Sequence, residues 1–161
     1  MYSMLHKKTT IVSILNILKQ YTDENHRLSQ KKIAEILEKE YGMKVDRKAI
    51  KRNLSNLIDA GYDIEYSRTT RMIKNKDGSL TESTILSDFY LERDFTDAEL
   101  RLLIDSLLFS KHIPHSQCKE LINKIEGLSS RYFRSSMRHV CSMPENTPKN
   151  GEIFYTIEVL G

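Results

Sequence analysis

The hydrophobic pattern of this chain changes its period at Gly61, and few folds accommodate such a change. Residues 46–60 repeat their apolar side chains every three or four positions, as one face of a helix does. Just after the glycine, Ile64 and Tyr66 alternate with polar residues, as in a half-buried strand. Because glycine readily adopts the left-handed backbone that ends helices, the sequence predicts a helix that stops at Gly61 and continues as a strand. The helical stripe consists of Ile50, Leu54, Leu57 and Ile58.

Two more amphipathic helices are predicted upstream. The first runs from about Lys8 to Tyr21 and carries one apolar stripe. The second is capped at its start by Ser29 and stopped by Gly42. A short link then leads to Asp46, whose carboxylate suits the N-cap of the third helix.

The strand that follows the third helix has a matching partner. A second alternating run, DFYLE, occupies residues 88–92, and Asp77-Gly78 between the two runs is a favoured two-residue hairpin turn. We therefore predict one long hairpin over residues 64–91, with a bulge in arms of this length. The apolar pairs expected at its base are Ile64 with Leu91 and Tyr66 with Phe89.

The remaining sequence predicts a helical second part. Thr96 and Glu99 form a capping box at the start of one helix, and Pro114 separates it from another. Residues 131–140 predict a further short helix, and CSMPENTPKNG after it is a linker by composition. The last residues, EIFYTIEVLG, carry a helix-like stripe, so we expect the natural protein to continue beyond them. The apolar stripes of the first two helices are Leu100, Leu103, Ile104, Leu107 and Leu108, and Cys118, Leu121, Ile122, Ile125 and Leu128.

The composition excludes several classes of protein. With 39% hydrophobic and 29% charged residues, it is typical of a soluble globular protein. No apolar run approaches the ~20 residues of a membrane span, and the N-terminal segment lacks a signal-peptide cleavage site. Cys118 and Cys141 stand apart without a CxxC pair, which indicates a reducing cytoplasm as the location.

No metal, cofactor or enzymatic activity is predicted. His112, His115 and Cys118 lie three residues apart, but Pro114 interrupts the helix between the first two and a fourth ligand is not evident. Nucleophile–base–acid sets and glycine-rich phosphate loops are not visible. The acids within residues 94–99 mark a helix start, where acids are favoured for stability.

Charge is unevenly distributed along the chain. Residues 1–76 hold 16 Lys/Arg and 9 Asp/Glu, a net charge of +7, whereas residues 77–161 hold 9 and 13, a net charge of −4. A basic half joined to an acidic half favours a polyanionic partner for the first half. The third helix concentrates cations opposite its apolar stripe, and the alternative interpretation of that side is an ordinary solvated face.

Three helices followed by a hairpin is the order of a winged helix-turn-helix, whose third helix enters the DNA major groove. The predicted fold class is α+β, mainly α: a winged helix-turn-helix followed by a helical connector hairpin. The start of the second helix suits a phosphate, and the hairpin cations suit the DNA backbone or minor groove. RNA is less favoured, because no aromatic platform is visible. The predicted DNA-contacting residues are Arg47, Lys48, Lys51, Arg52 and Ser55 in the third helix, Ser29, Gln30 and Lys31 in the second, and Arg68, Arg71 and Lys74 in the hairpin.

Residues 11–67, IVSILNILKQYTDENHRLSQKKIAEILEKEYGMKVDRKAIKRNLSNLIDAGYDIEYS, resemble the N-terminal region of bacterial WYL-domain transcriptional regulators. DFYLERDFTDAELRLLIDSLLFSKHI is similar to the segment that joins winged helix to WYL domain, and KNGEIFYTIEVL to the first WYL helix. The resemblance implies a dimeric repressor or activator in the bacterial cytoplasm. The sequence departs from the family in two ways: the WYL triad with its β-barrel is missing, and the wing at residues 68–86 is longer. An effector ligand would bind the missing domain.

The predicted organisation has three parts, and one alternative function stays open. Residues 1–92 are the DNA-binding domain, 93–142 a connector or dimerisation unit, and 143–161 a linker with the first helix of a truncated WYL-like domain. The alternative is a winged-helix protein-interaction module that does not bind DNA and forms a homodimer through helices 96–128.

Overall fold

The computed structural model describes residues 2–141, and this part of the chain is α+β and mainly helical, with six helices and one antiparallel hairpin. The chain divides into two compact units between Glu92 and Arg93. The predicted linker and C-terminal helix lie outside the described residues. The elements are α1 (Tyr2–Tyr21), α2 (Gln30–Tyr41), α3 (Arg47–Asp59), β1 (Ile64–Lys74), β2 (Leu80–Leu91), α4 (Asp97–Leu108), α5 (His115–Glu126) and α6 (Arg131–Cys141).

The second helix has the two caps that the sequence predicts. At its start the Lys32 N–H donates to Ser29 Oγ at 3.2 Å. At its end Gly42 adopts φ 63°, and its N–H donates to the Glu38 carbonyl at 3.2 Å. Both groups satisfy backbone atoms that a helix end leaves without intrahelical partners. The bounds of α2 are therefore fixed by these local contacts.

The third helix begins and ends as predicted as well. The Ala49 N–H donates to Asp46 Oδ1 at 2.7 Å. At the other end Gly61 has φ 99°, and Tyr62 N–H donates to the Leu57 carbonyl at 3.1 Å. The Gly61 N–H bonds the Ile58 carbonyl at 3.0 Å, which completes a Schellman-type stop. The chain then enters β1 at once.

The first helix starts earlier than predicted, at Tyr2 instead of Lys8. The sequence estimate relied on the apolar stripe, which begins only at Ile11, and residues 2–7 contain no glycine or proline to stop a helix from extending. The three helices and the hairpin base enclose one core. Its most deeply buried side chains are Ile14, Ile17, Leu18, Ile33, Leu37, Ile50, Leu54 and Phe89.

The hairpin base has the predicted register, with Ile64 opposite Leu91. The predicted bulge is also present: Tyr66 faces two residues of β2, Asp88 and Phe89, and Asp88 takes the bulge position with φ 56°. Because side chains alternate between faces, the extra residue lets positions 86, 89 and 91 all point toward the core. The Tyr66 and Phe89 rings pack with centroids 5.7 Å apart.

The predicted two-residue turn at Asp77-Gly78 is wrong. Residues 76–78 form a three-residue loop, in which Gly78 N–H donates to the Asn75 carbonyl at 3.0 Å and Asn75 N–H to the Ser79 carbonyl at 2.8 Å. Gly78 has φ 87°, the positive value that closes such loops. The three-residue loop shifts the pairing of the outer arms by one residue from the predicted register. The bulge adds one residue to β2 and reverses this shift, so the pairing at the base matches the prediction.

Three contacts tie the hairpin base to residues 22–30, which lead from the end of α1 to the start of α2. Leu28 and Phe89 exchange two backbone hydrogen bonds, at 2.9 and 2.8 Å, as a one-residue third strand. The Leu91 N–H donates to the buried Thr22 Oγ1 at 3.0 Å. Gln30 Nε2 donates to the Leu86 carbonyl at 3.1 Å. The base is therefore held firmly, whereas residues 68–85 of the arms are mostly exposed.

The second unit contains α4, α5 and α6. The predicted capping box is present, since Glu99 N–H bonds Thr96 Oγ1 and the Glu99 carboxylate bonds the Thr96 N–H. The buried cluster consists of Leu100, Ile104, Ile122, Phe133 and Met137. The predicted stripes were too broad, however: Leu103, Leu121 and Leu128 are exposed, because α6 and the facing helix cover only part of each stripe. None of the described helices is long and apolar enough to cross a bilayer.

Candidate nucleic-acid interface

The outer face of α3 carries all five residues predicted for it. Arg47, Lys48, Lys51, Arg52 and Ser55 are each exposed. The opposite face is buried through the stripe predicted from the sequence, of which Ile58 alone is half-buried. Since one side of the helix is locked into the core and the caps fix both ends, the cationic side is presented on a rigid support.

The electrostatics of this face are unfavourable for the helix itself. Within the described residues, no carboxylate oxygen lies within 4.0 Å of the four cationic groups. Arg47 and Lys51 are four residues apart, as are Lys48 and Arg52, so like charges are neighbours along the helix. Arg47 and Lys48 also lie in the first turn, at the positive end of the helix dipole. A polyanion placed here would relieve both repulsions.

The three residues predicted at the start of α2 differ in their exposure and contacts. Lys31 is exposed. The Ser29 hydroxyl is the N-cap acceptor, and the Gln30 side chain is only 9% exposed with its amide on the Leu86 carbonyl. Gln30 thus supports the hairpin base, and of these three side chains Lys31 is the one turned fully to solvent. Sequence patterns could not show the Gln30 contact, because Leu86 is 56 residues away.

The hairpin cations lie on both faces of the ribbon. Arg68 and Lys74 share the face that is buried at the base, and Arg71 lies on the other; all three are exposed. Arg68 Nη2 donates to Tyr66 Oη at 2.9 Å, and its guanidinium carbon lies 5.5 Å from the Tyr66 ring centroid. This hydrogen bond raises the pKa of Arg68. Tyr66 therefore holds the guanidinium near the hairpin base.

Arg27 is a further exposed cation that the sequence analysis missed. Its guanidinium carbon lies 4.6 Å from the Tyr90 ring centroid, and its Nε donates to the Glu24 carbonyl at 3.0 Å. Burial and the nearby Glu92 raise the pKa of Tyr90, while Arg27 acts in the opposite direction. Only the hairpin register places Tyr90 beside this loop, so no local signal marked Arg27.

No protein-family model matches this chain, and neither does any curated protein or any solved structure. The similarity to WYL-domain regulators therefore stays a prediction. Among the residues that the structure describes, no three His, Cys, Asp or Glu side chains are grouped to hold a metal ion.

Proposed function

We propose that this chain is a sequence-specific DNA-binding transcriptional regulator, whose first unit is a winged helix-turn-helix with α3 as the recognition helix and residues 64–91 as the wing. The observation that carries the proposal is the outer face of α3. Its four cations are exposed and have no acidic partner among the described residues, although their placement disfavours the helix.

The architecture of the first unit supports the proposal. Three helices precede the hairpin, and a single glycine-stopped helix end joins α3 to it. The pairing of Leu28 with Phe89 adds the short extra strand between α1 and α2 that suits a winged helix. Only residues 42–46 separate α2 from α3, a short connection that is compatible with a helix-turn-helix.

In the proposed complex, the N-terminal turns of α3 enter the major groove, about 12 Å wide. Arginine there bonds guanine O6 and N7 bidentately, whereas lysine meets phosphate more often. Lys31 at the start of α2 and the exposed wing cations contact the backbone. If six to eight cations neutralise phosphates, log K falls with log salt at a slope of roughly −5 to −7.

The first experiment selects duplexes bound by the full chain from a random pool and then titrates the selected duplex at several salt concentrations. The variant Lys51→Glu/Arg52→Glu should lose most of the binding while its circular dichroism stays that of the wild type. The matched control is Arg101→Glu/Lys119→Glu, the same charge change at two exposed positions of the second unit. Equal loss in both variants would show a general charge effect and refute α3 as the reader.

A second candidate function is protein interaction without DNA binding, with a homodimer through residues 96–128. The exposed Leu102 on α4 and Phe109 at its end favour it, because exposed large side chains in one region mark interaction surfaces. Sedimentation of the full chain and a Leu102→Asp variant tests it. A dimer that this variant dissociates, together with no binding of the wild-type chain to any duplex of the random pool, would favour this candidate over the first.

A further inference from the structure

The tip of the hairpin carries two large apolar side chains on one face. In the register of β1 and β2, Met72 pairs with Glu82 and Lys74 pairs with Leu80, so Met72 and Leu80 are diagonal neighbours. These two residues, the apolar pair, are 62% and 63% exposed. They form an apolar patch at the end of a projecting arm.

The apolar pair is not a continuation of the protein core. On the same face, the half-buried Leu86 is followed by the exposed Thr70–Thr84 pair before the apolar residues return. Leu86 lies six positions after Leu80, which is about 20 Å along a strand. A ribbon that served the fold alone would place polar side chains here, because exposed apolar area adds little stability to a two-stranded arm.

The outer part of the hairpin, residues 68–84, carries four cations and two acids, so its net charge is positive. Lys74 lies on the same face, and Lys76 lies in the loop at the tip. Glu82 also lies on this face, and Asp77 lies in the loop. The Asp77 carboxylate already accepts from the Ser79 N–H and hydroxyl at 2.9 and 2.6 Å. Apolar groups flanked by lysines fit a partner that combines phosphates with stacked aromatic rings.

We infer that the apolar pair is a wedge, which enters the minor groove beside the site of α3, partly unstacks one base step and bends the duplex. The inference rests on the proposed DNA binding and adds a deformation of the bound DNA to it. Apolar side chains inserted from the minor groove kink duplexes by about 20–90°. That groove is about 7.5 Å deep, well within the reach of the arm. Arg68 and Lys74 on the same face then meet the phosphates beside the kink.

The test uses the full chain and the selected duplex, labelled at its two ends for fluorescence energy transfer. Wild-type protein should raise the transfer, because bending brings the ends together. Met72→Ser/Leu80→Ser should bind roughly tenfold more weakly with no rise in transfer, since the unstacked step is lost. Its salt slope should be unchanged, since no cation is removed. The matched control is Ile73→Ser, an exposed apolar position on the opposite face, which should bend DNA like the wild type.

Four outcomes would overturn the wedge. Wild-type protein that binds the duplex without bending it, or a double variant that bends it fully, refutes the wedge and leaves DNA binding intact. Wild-type protein with no salt-dependent binding to any duplex refutes both proposals together. The fourth outcome comes from cosedimentation with phosphatidylglycerol vesicles. If the wild type binds these vesicles and the double variant does not, the apolar pair contacts a lipid surface.

Discussion

The helices α3 and α5 are amphipathic and similar in length, yet they place their charges in opposite ways. In α5, Lys124 lies in the last turn with its Nζ 3.2 Å from Glu120 Oε1, so the ion pair and the helix dipole both stabilise the helix. In α3, Arg47 and Lys48 lie in the first turn, and no carboxylate oxygen among the described residues comes within 4.0 Å of their charged groups. The charge of Lys124 therefore stabilises α5, whereas the charges of Arg47 and Lys48 destabilise α3.

The apolar sides of the two helices differ as well, and the largest expected effect lies there. Leu54 of α3 is 1% exposed, whereas Leu121 of α5 is 39% exposed. Leu54→Ala should destabilise the first unit by about 2–5 kcal/mol, because it removes buried contacts and leaves a cavity. Leu121→Ala should cost less than ~1 kcal/mol. Urea unfolding, followed by NMR of the backbone amides of each unit, measures the two losses of stability. Similar losses for the two variants would contradict the predicted difference between the apolar sides of α3 and α5.

The N-caps of α3 and α5 also differ, and we expect removal of a cap to have an effect on stability of intermediate size. The Asp46 side chain caps α3, whereas Pro114 at the start of α5 makes no side-chain cap. Asp46→Ala should destabilise the first unit by about 1 kcal/mol, since the Ala49 N–H loses its acceptor. Asp46→Asn keeps an acceptor and should cost less. If the asparagine variant loses as much as the alanine variant, the carboxylate charge beside the cations matters more than the cap.

Neutralising the charges should change stability in opposite directions. Arg47→Gln/Lys48→Gln should stabilise the first unit by a few tenths of a kcal/mol, about 0.3–0.6, because repulsion in the first turn is removed. Lys124→Gln should destabilise the second unit by about 0.3–0.5 kcal/mol, since an exposed ion pair is lost. Thermal unfolding at low salt detects both. Destabilisation by the α3 variant would mean that its cations support the fold.

The smallest expected effect concerns Asp77, an acid among the hairpin cations. Its hydrogen bonds from Ser79 hold its pKa below the ordinary 3.8. Because the folded pKa lies below the unfolded one, the stabilisation is present above that ordinary value and is lost as the pH falls through the folded value. Carboxyl NMR should show a depressed titration in the wild type and a less depressed one in Ser79→Ala, which loses the hydroxyl donor but keeps the backbone N–H donor. If Asp77 titrates alike in the two proteins, the Ser79 hydroxyl does not lower its pKa.

Local signals predicted the parts of the fold that local contacts determine. Ser29, Gly42 and Asp46 act within a few residues of themselves, so their roles were readable from the sequence. The buried stripe of α3 was predicted for the same reason. The bulge at Asp88 and the loop at residues 76–78 set the hairpin path together, and sequence alone could not divide the register shift between them.

Long-range contacts account for the rest. The contact of Gln30 with a phosphate stays a prediction, but its side-chain amide bonds a carbonyl that the chain reaches only 56 residues later, which local patterns could not show. Arg27 was missed because its aromatic partner comes from the far strand of the hairpin. The exposure of the candidate residues could therefore be predicted within α3, where local spacing determines it. It could not be predicted where α2, the loop before it and the hairpin are in contact.

The hydrogen bond from the Leu91 N–H to Thr22 spans 69 residues, so it bears on when the first unit can form during synthesis. Closing so long a loop has an entropic cost that several simultaneous contacts must offset. Until β2 has left the ribosome, α1 lacks the strand that locks its C-terminal end, and Phe89 is missing from the core. We therefore expect nascent chains that end before Leu91 to be sensitive to proteases, and longer ones to become resistant in a single step.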